Sequence, residues 1–237
     1  VLVPLNYMKN QKVAFYLPNG NNYQAELSLW CIAREDRTNS SEPWLETSWI
    51  GSAGHGNGLA LFCSKLDAYI QCIRMNADGD EALKGKWKVY SFSDLNRLEM
   101  SINMKFNYGH EMFGFSLIFG FASSADGTLL SRNGIFAPVS YHLDVSLDTL
   151  IEIGKEETIT FPSSNFKLIS ELFDTEVGDY LTLVREVNKM SHKTINDLAI
   201  QHFKKINFQC PDHSPSIQEE RYASSCFLSL GWKTVQH

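Results

Sequence analysis

A cysteine that ends an apolar run and stands at the entry of a helix has the setting of a nucleophile, and Cys63 has that setting. The run "LALFC" (59–63) has strand length. "SKLDAYIQCIRMN" follows it, with Leu66, Tyr69, Ile70 and Ile73 at helical spacing. A helix N-terminus depresses a thiol pKa and raises the share of reactive thiolate. A base is near in sequence: His55 lies in the glycine-rich stretch "SAGHGNG" (52–58), and Asp67 lies in the first turn of the predicted helix. Cys63 and His55 are therefore the candidate nucleophilic pair of a hydrolase or transferase, if the loop folds the imidazole within hydrogen-bond reach of the sulfur. The competing reading is structural. Free cysteines are mostly buried, and glycines 51, 54, 56 and 58 let the chain turn tightly into the strand. On that reading there is no catalytic residue, and Trp49, His55 and Asn57 are contact residues of a loop.

Other chemistries find less. A phosphate-binding loop needs a Lys-Ser/Thr pair and a following helix, and "SAGHGNG" has neither; the dinucleotide fingerprint fails too. His202, Cys210 and His213 form one loose cluster in which "CPDH" supplies a Cys-x2-His step, but no second close pair completes a zinc set. No metal and no cofactor is expected. His110, His142, His192 and His237 stand isolated and read as surface or loop residues. The five cysteines, at 31, 63, 72, 210 and 226, are odd in number and widely spaced, which argues for a reducing compartment rather than a disulfide framework.

The net charge of -6 is concentrated. Asp144, Asp148, Glu152, Glu156, Glu157, Glu171, Asp174, Glu176 and Asp179 face only Lys155 and Lys167 in the same segment, which leaves it at -7 and the rest of the chain about neutral. A nucleic-acid reader carries the opposite sign on its binding face. The longest apolar run, "MFGFSLIFGFA" (112–122), is far shorter than the ~20 residues of a membrane span, and "VLVPLNYMKNQK" lacks the order of a signal peptide. Neither nucleic acid nor membrane is an expected partner, and the expected location is cytoplasmic.

These residues must be positioned by an α+β fold. Strands are predicted at 12–18, 25–33, 44–50, 59–63, 87–93, 98–107, 112–122, 135–145 and 157–162. "LEMSINMKFN" (98–107) alternates without error, the signature of an antiparallel sheet with one open face, while 112–122 reads as buried on both faces. Asp126-Gly127 and Asn133-Gly134 are hairpin signals, and Pro138 points to an edge or a bulge. Helical patterns run at 164–173, 179–190, 194–206 and 216–231; Thr194/Asp197 and Ser216/Glu219 have capping spacing. The expectation is a mainly antiparallel sheet in the first two-thirds (1–162), then a helical C-terminal region (163–237).

The function expected from this pattern is non-enzymatic binding of a basic protein by an acidic face. Its most concrete form is an immunity-type inhibitor, of the bacterial kind, that covers the basic active site of a toxin such as a nuclease. Phe161, Phe166, Phe173 and Tyr180 are its candidate anchors. The alternatives are the Cys63/His55 enzyme and a regulatory DNA-binding protein using helices 179–206. The helix-turn-helix likeness rests on length alone, since Asn196 and Asp197 occupy the end where a recognition helix carries basic residues.

Overall fold

The computed structural model describes residues 2–4, 23–24, 27–36, 44–51, 57–77, 84–92, 111–124, 126–132, 135–148, 159–160, 180–209, 221–224 and 233–236. Its contacts divide the chain into two compact units. One comprises Val1–Leu61, Glu81–Leu117 and Tyr141–Ser163; the other comprises Phe62–Asp80, Ile118–Ser140 and Ser164–His237.

The first unit is built on strands. β1 (Leu2–Pro4), β3 (Trp30–Asp36), β4 (Trp44–Thr47) and β7 (Lys88–Ser91) pair antiparallel, with Leu2 opposite Glu46, Ala33 opposite Thr47 and Ile32 opposite Val89. β5 (Trp49–Gly51) pairs antiparallel with β6 (Asn57–Phe62), while β2 (Tyr23–Gln24) and β12 (Ile159–Thr160) pair in parallel. The core is aromatic. Trp49 meets Phe113 at 5.4 Å between ring centroids, Phe113 meets Phe115 at 4.7 Å, and Phe92 meets Phe115 at 6.0 Å. Phe113 and Phe115 belong to β8 (Met112–Ser123), where every residue after Met112 is buried. The apolar run 112–122 thus forms the two-face-buried strand its composition predicts. β11 (Pro138–Ser146) pairs with β8.

In the second unit, α1 (Lys65–Ala77) follows β6 with a sharp entry. The Ser64 hydroxyl accepts from the Asp67 N–H at 3.3 Å, so the predicted cap forms. α2 (Tyr180–Lys189) and α3 (His192–Phe203) lie where helices 179–190 and 194–206 are predicted. The cap of α3 is Ser191, whose hydroxyl accepts from the Thr194 N–H at 3.1 Å; the Thr194/Asp197 pair therefore falls inside the helix. Leu66, Ile70, Val184, Val187, Ile195 and Ala199 are buried, so the three helices pack through the stripes read from the sequence. β9 (Leu129–Arg132) returns from β8 through a turn in which Gly127 has φ 87°, the left-handed conformation that the Asp-Gly signal requires.

Two expectations are corrected here. The sheet is mixed rather than mainly antiparallel: β13 (Phe208–Gln209) joins β9 in parallel, as β12 joins β2. Parallel partners need long connections, and the chain between β9 and β13 carries α2 and α3. The C-terminal region is also not uniformly helical. In place of a helix over 216–231, β14 (Arg221–Ser224) pairs antiparallel with β15 (Lys233–Gln236) and with β8. Pairing with the apolar β8 overrides a capping pattern that is only a local preference. β10 (Ile135–Phe136) completes the unit, paired to β9. The expected strands 12–18 and 98–107 and helix 164–173 lie outside the described residues.

Candidate functional site

The strand register of the first unit places a serine, a histidine and an aspartate in one hydrogen-bonded line. His142 Nδ1 is 3.1 Å from Ser116 Oγ, and His142 Nε2 is 3.0 Å from Asp144 Oδ1. His142 and Asp144 are two residues apart on β11 and so share a strand face. A carboxylate only accepts, so Nε2 carries the proton to Asp144; in the neutral ring Nδ1 then accepts from the Ser116 hydroxyl. The ring lies against two glycines. A Cβ on Gly58 or on Gly114 would come within 2.9 Å of His142 Cε1. The imidazole is 4% exposed and the Asp144 carboxylate 41%, so the line runs from the surface into the sheet.

The residue types are those of a nucleophilic triad, but the surroundings are not. Ser116 is fully buried, and a Cβ on Gly58 would fall 2.5 Å from its Oγ. A carbonyl substrate must stand about 3 Å from the attacking oxygen, and Gly58 fills that place. The line acts as a clamp: it fixes the tautomer of His142 and holds β11 and β8 against the first residues of β6. Sequence reading set His142 aside as an isolated surface or loop residue; it is a buried strand residue. Two signals were present: the His-x-Asp step of "YHLDV", and Ser116 as the lone hydroxyl in an apolar run.

Cys63 sits directly after β6, fully buried. Its thiol pKa is pushed up, first by burial and then by the charge of Asp67. The helix N-terminus was expected to lower it, but loss of water outweighs that field. His55 lies outside the described residues. The backbone of Cys63 is fully engaged: its N–H donates to Ile118 at 2.9 Å and its carbonyl accepts from Asn188 Nδ2 at 2.9 Å. Burial likewise pushes the Cys72 thiol up to about 12.

These two thiols set an alkaline prediction. Each stays protonated in the folded chain and ionises near its ordinary pKa when unfolded, so the unfolded state loses protons first and stability falls as pH rises above about 9. Denaturant titrations between pH 8 and 10.5 should show a loss of about 1.4 kcal/mol per pH unit per thiol above that point. Cys63→Ala and Cys72→Ala should each flatten the profile; an unchanged slope in both variants would contradict this account.

Of the acidic residues proposed for partner binding, Asp144 and Asp148 are exposed, on and just after β11. Met112 and Tyr141 in the same unit are exposed large apolar side chains, at 50% and 38%. Glu152, Glu156, Glu157, Glu171, Asp174, Glu176 and Asp179 lie outside the described residues, as do Phe161, Phe166 and Phe173. Tyr180 is core: it is fully buried and its hydroxyl donates to the Phe119 carbonyl at 2.8 Å. Cys210 and His213 are outside the described residues too. His202 is half-buried on α3, with its pKa pushed down by burial and then by Lys205. Among the described residues no three His, Cys, Asp or Glu side chains form a metal-holding group, and no helix is long and apolar enough to cross a membrane. At the start of α3, Asn196 is half-buried and Asp197 exposed. No family model, no curated protein and no solved structure matches this chain.

Proposed function

We propose that this chain is a non-enzymatic binding protein of the cytoplasm whose acidic face captures a basic protein, in the manner of an immunity-type inhibitor that covers a toxin's basic active site. The observation that carries the reading is the concentration of -7 between Asp144 and Asp179 in a chain otherwise about neutral. Support comes from Asp144 and Asp148, which stand at the surface in the unit that also exposes Tyr141 and Met112. Like charges gathered on one face raise the local concentration of an oppositely charged partner and orient its approach. They act mainly on the association rate, within a Debye length of about 10 Å at 0.1 M salt. The Cys63 alternative gains no support from a buried thiol whose pKa moves upward.

The test uses the immobilised chain beside an Asp174→Asn/Glu176→Gln/Asp179→Asn variant, both exposed to extract of the source cells at low salt. The parent should retain one basic protein near one to one and release it as salt rises. Against that purified partner, the variant should associate about tenfold more slowly at low salt, with a flatter salt dependence. Association rates that are equal for both proteins at every salt concentration would sink the reading.

A further inference from the structure

Three buried polar side chains of the second unit have hydrogen-bonding atoms without a partner: Gln71 Nε2, Ser123 Oγ and Ser131 Oγ. Each residue is at most 1% exposed. Leaving such an atom unpaired is costly, and native interiors hold few of them. These three are not scattered. Gln71 on α1 accepts from the Phe136 N–H through Oε1 at 3.1 Å, and Phe136 is the strand partner of Ser131. Ser123 is the strand partner of Leu129, two residues before Ser131. Strand partners share a face, so both hydroxyls project on the side of the sheet that carries the Phe136 ring.

That face has an aromatic lining and one guanidinium. Phe136 packs on Phe121 at 5.5 Å, on Phe203 at 6.4 Å and on Phe208 at 5.8 Å. Phe208 is the strand partner of Leu129, and the Arg74 guanidinium lies over its ring at 4.5 Å. Arg74 is 8% exposed and lies three residues after Gln71 on α1. Two neighbourhoods thus adjoin along β9: Gln71 with Ser131, and Arg74 with Ser123. All four side chains can donate. Asp67, buried on α1 one turn before Gln71, lies away from the Arg74 end. Phe208 is 43% exposed and forms the wall nearest solvent.

We infer that this face of the second unit is a binding site for a small organic anion, a carboxylate carried on an aromatic or other apolar body. The carboxylate accepts from Gln71 Nε2 and the serine hydroxyls beside the Arg74 charge, and the body lies among the phenylalanine rings. Donor-rich polar groups set in an apolar surround are the ordinary make-up of a small-molecule site. The inference does not depend on the acidic face.

The test is a thermal and calorimetric titration of the whole chain with sodium benzoate, with benzyl alcohol as the neutral probe. Benzoate should raise the midpoint saturably, by about 5 °C at a hundredfold excess over Kd, and benzyl alcohol should bind at least tenfold more weakly. Ser131→Ala, which keeps the fold's backbone bonds, and Gln71→Met should each weaken benzoate at least fivefold. No saturable shift by 20 mM benzoate would overturn the site; so would equal binding of both probes, or unchanged affinity in both variants. A crystal structure grown with benzoate that shows only ordered waters on Gln71 Nε2 and Ser131 Oγ would assign these atoms to internal hydration instead.

Discussion

Gly114→Ala will destabilise the protein by about 3 kcal/mol, although the same change in an open strand position would be neutral or stabilising. The added Cβ would stand 2.6 Å from the backbone oxygen of Asn57, 2.9 Å from His142 Cε1 and 3.1 Å from the Cα of Gly58. A flexible side chain can step aside from such a contact, but a strand carbonyl cannot move without breaking its own ladder. The sign is what makes the test discriminating. Alanine narrows the unfolded ensemble and by that route adds roughly 0.5–1 kcal/mol of stability, so the steric cost must exceed that gain to be seen. Urea unfolding should show the midpoint moving down, and a thermal scan should show a fall of about 6–10 °C. The Gly114→Ala/His142→Ala double variant should regain only part of the loss, because the ring contact goes and the Asn57 contact stays. A Gly114→Ala protein within 0.5 kcal/mol of the parent would mean that β6 and β8 are not this close. It would also remove the basis for the Ser116–His142–Asp144 clamp.

Asn188→Ala should cost a similar amount, about 3 kcal/mol, through a different mechanism. Asn188 lies in the last turn of α2 and serves both sides of the β6–α1 junction. Its Oδ1 accepts from the Lys65 N–H at 2.8 Å, and its Nδ2 donates to the Cys63 carbonyl at 2.9 Å. The first N–H groups of a helix have no partner within it, so Lys65 depends on this side chain. The service is returned: Lys65 Nζ donates to the Met190 carbonyl at 2.7 Å, just past the end of α2, where a cation is favoured. Alanine leaves a buried donor and a buried acceptor unpaired at once. Asn188→Asp should not rescue, since it sets a second acceptor against the Cys63 carbonyl. Lys65→Met, which keeps the stem and loses one bond, should cost only about 1 kcal/mol. Hydrogen exchange is the sharper readout: amides of α1 and α2 should lose protection together in Asn188→Ala. Loss confined to α2, with α1 unchanged, would show that the two helices are not held through this residue.

Much of this arrangement is legible in the residues. Cys63, Ser64 and Asp67 mark a strand end and a capped helix, and both are present. The apolar run 112–122 is a buried strand, and Asp126-Gly127 turns it back on β9 with the φ that glycine permits. All of these are local: a cap, a stripe and a turn depend on neighbours a few positions away. The Ser116–His142 contact joins residues 26 positions apart, and Asn188 reaches Cys63 across 125. Nothing in the run containing Ser116 says which strand will lie beside it or in what register. A one-residue slip would turn His142 to the other face and leave the glycines facing nothing.

The same limit governs the chemistry. Cys63 at a helix entry reads as an activated thiol, because the sequence shows the helix and not the depth at which it is buried; desolvation then reverses the sign. The stretch 216–231 reads as helix because capping and stripe are local signals, while β14 owes its form to pairing with β8. By itself the sequence determined the mixed α and β content, the helices α1 to α3, the principal hairpin and the placement of negative charge, since each follows from short-range preference or from composition. The tertiary structure alone decided the parallel partners, the burial of Cys63, the His142 clamp and the orphaned donors beneath α1, since each depends on which distant segments exclude water from one another.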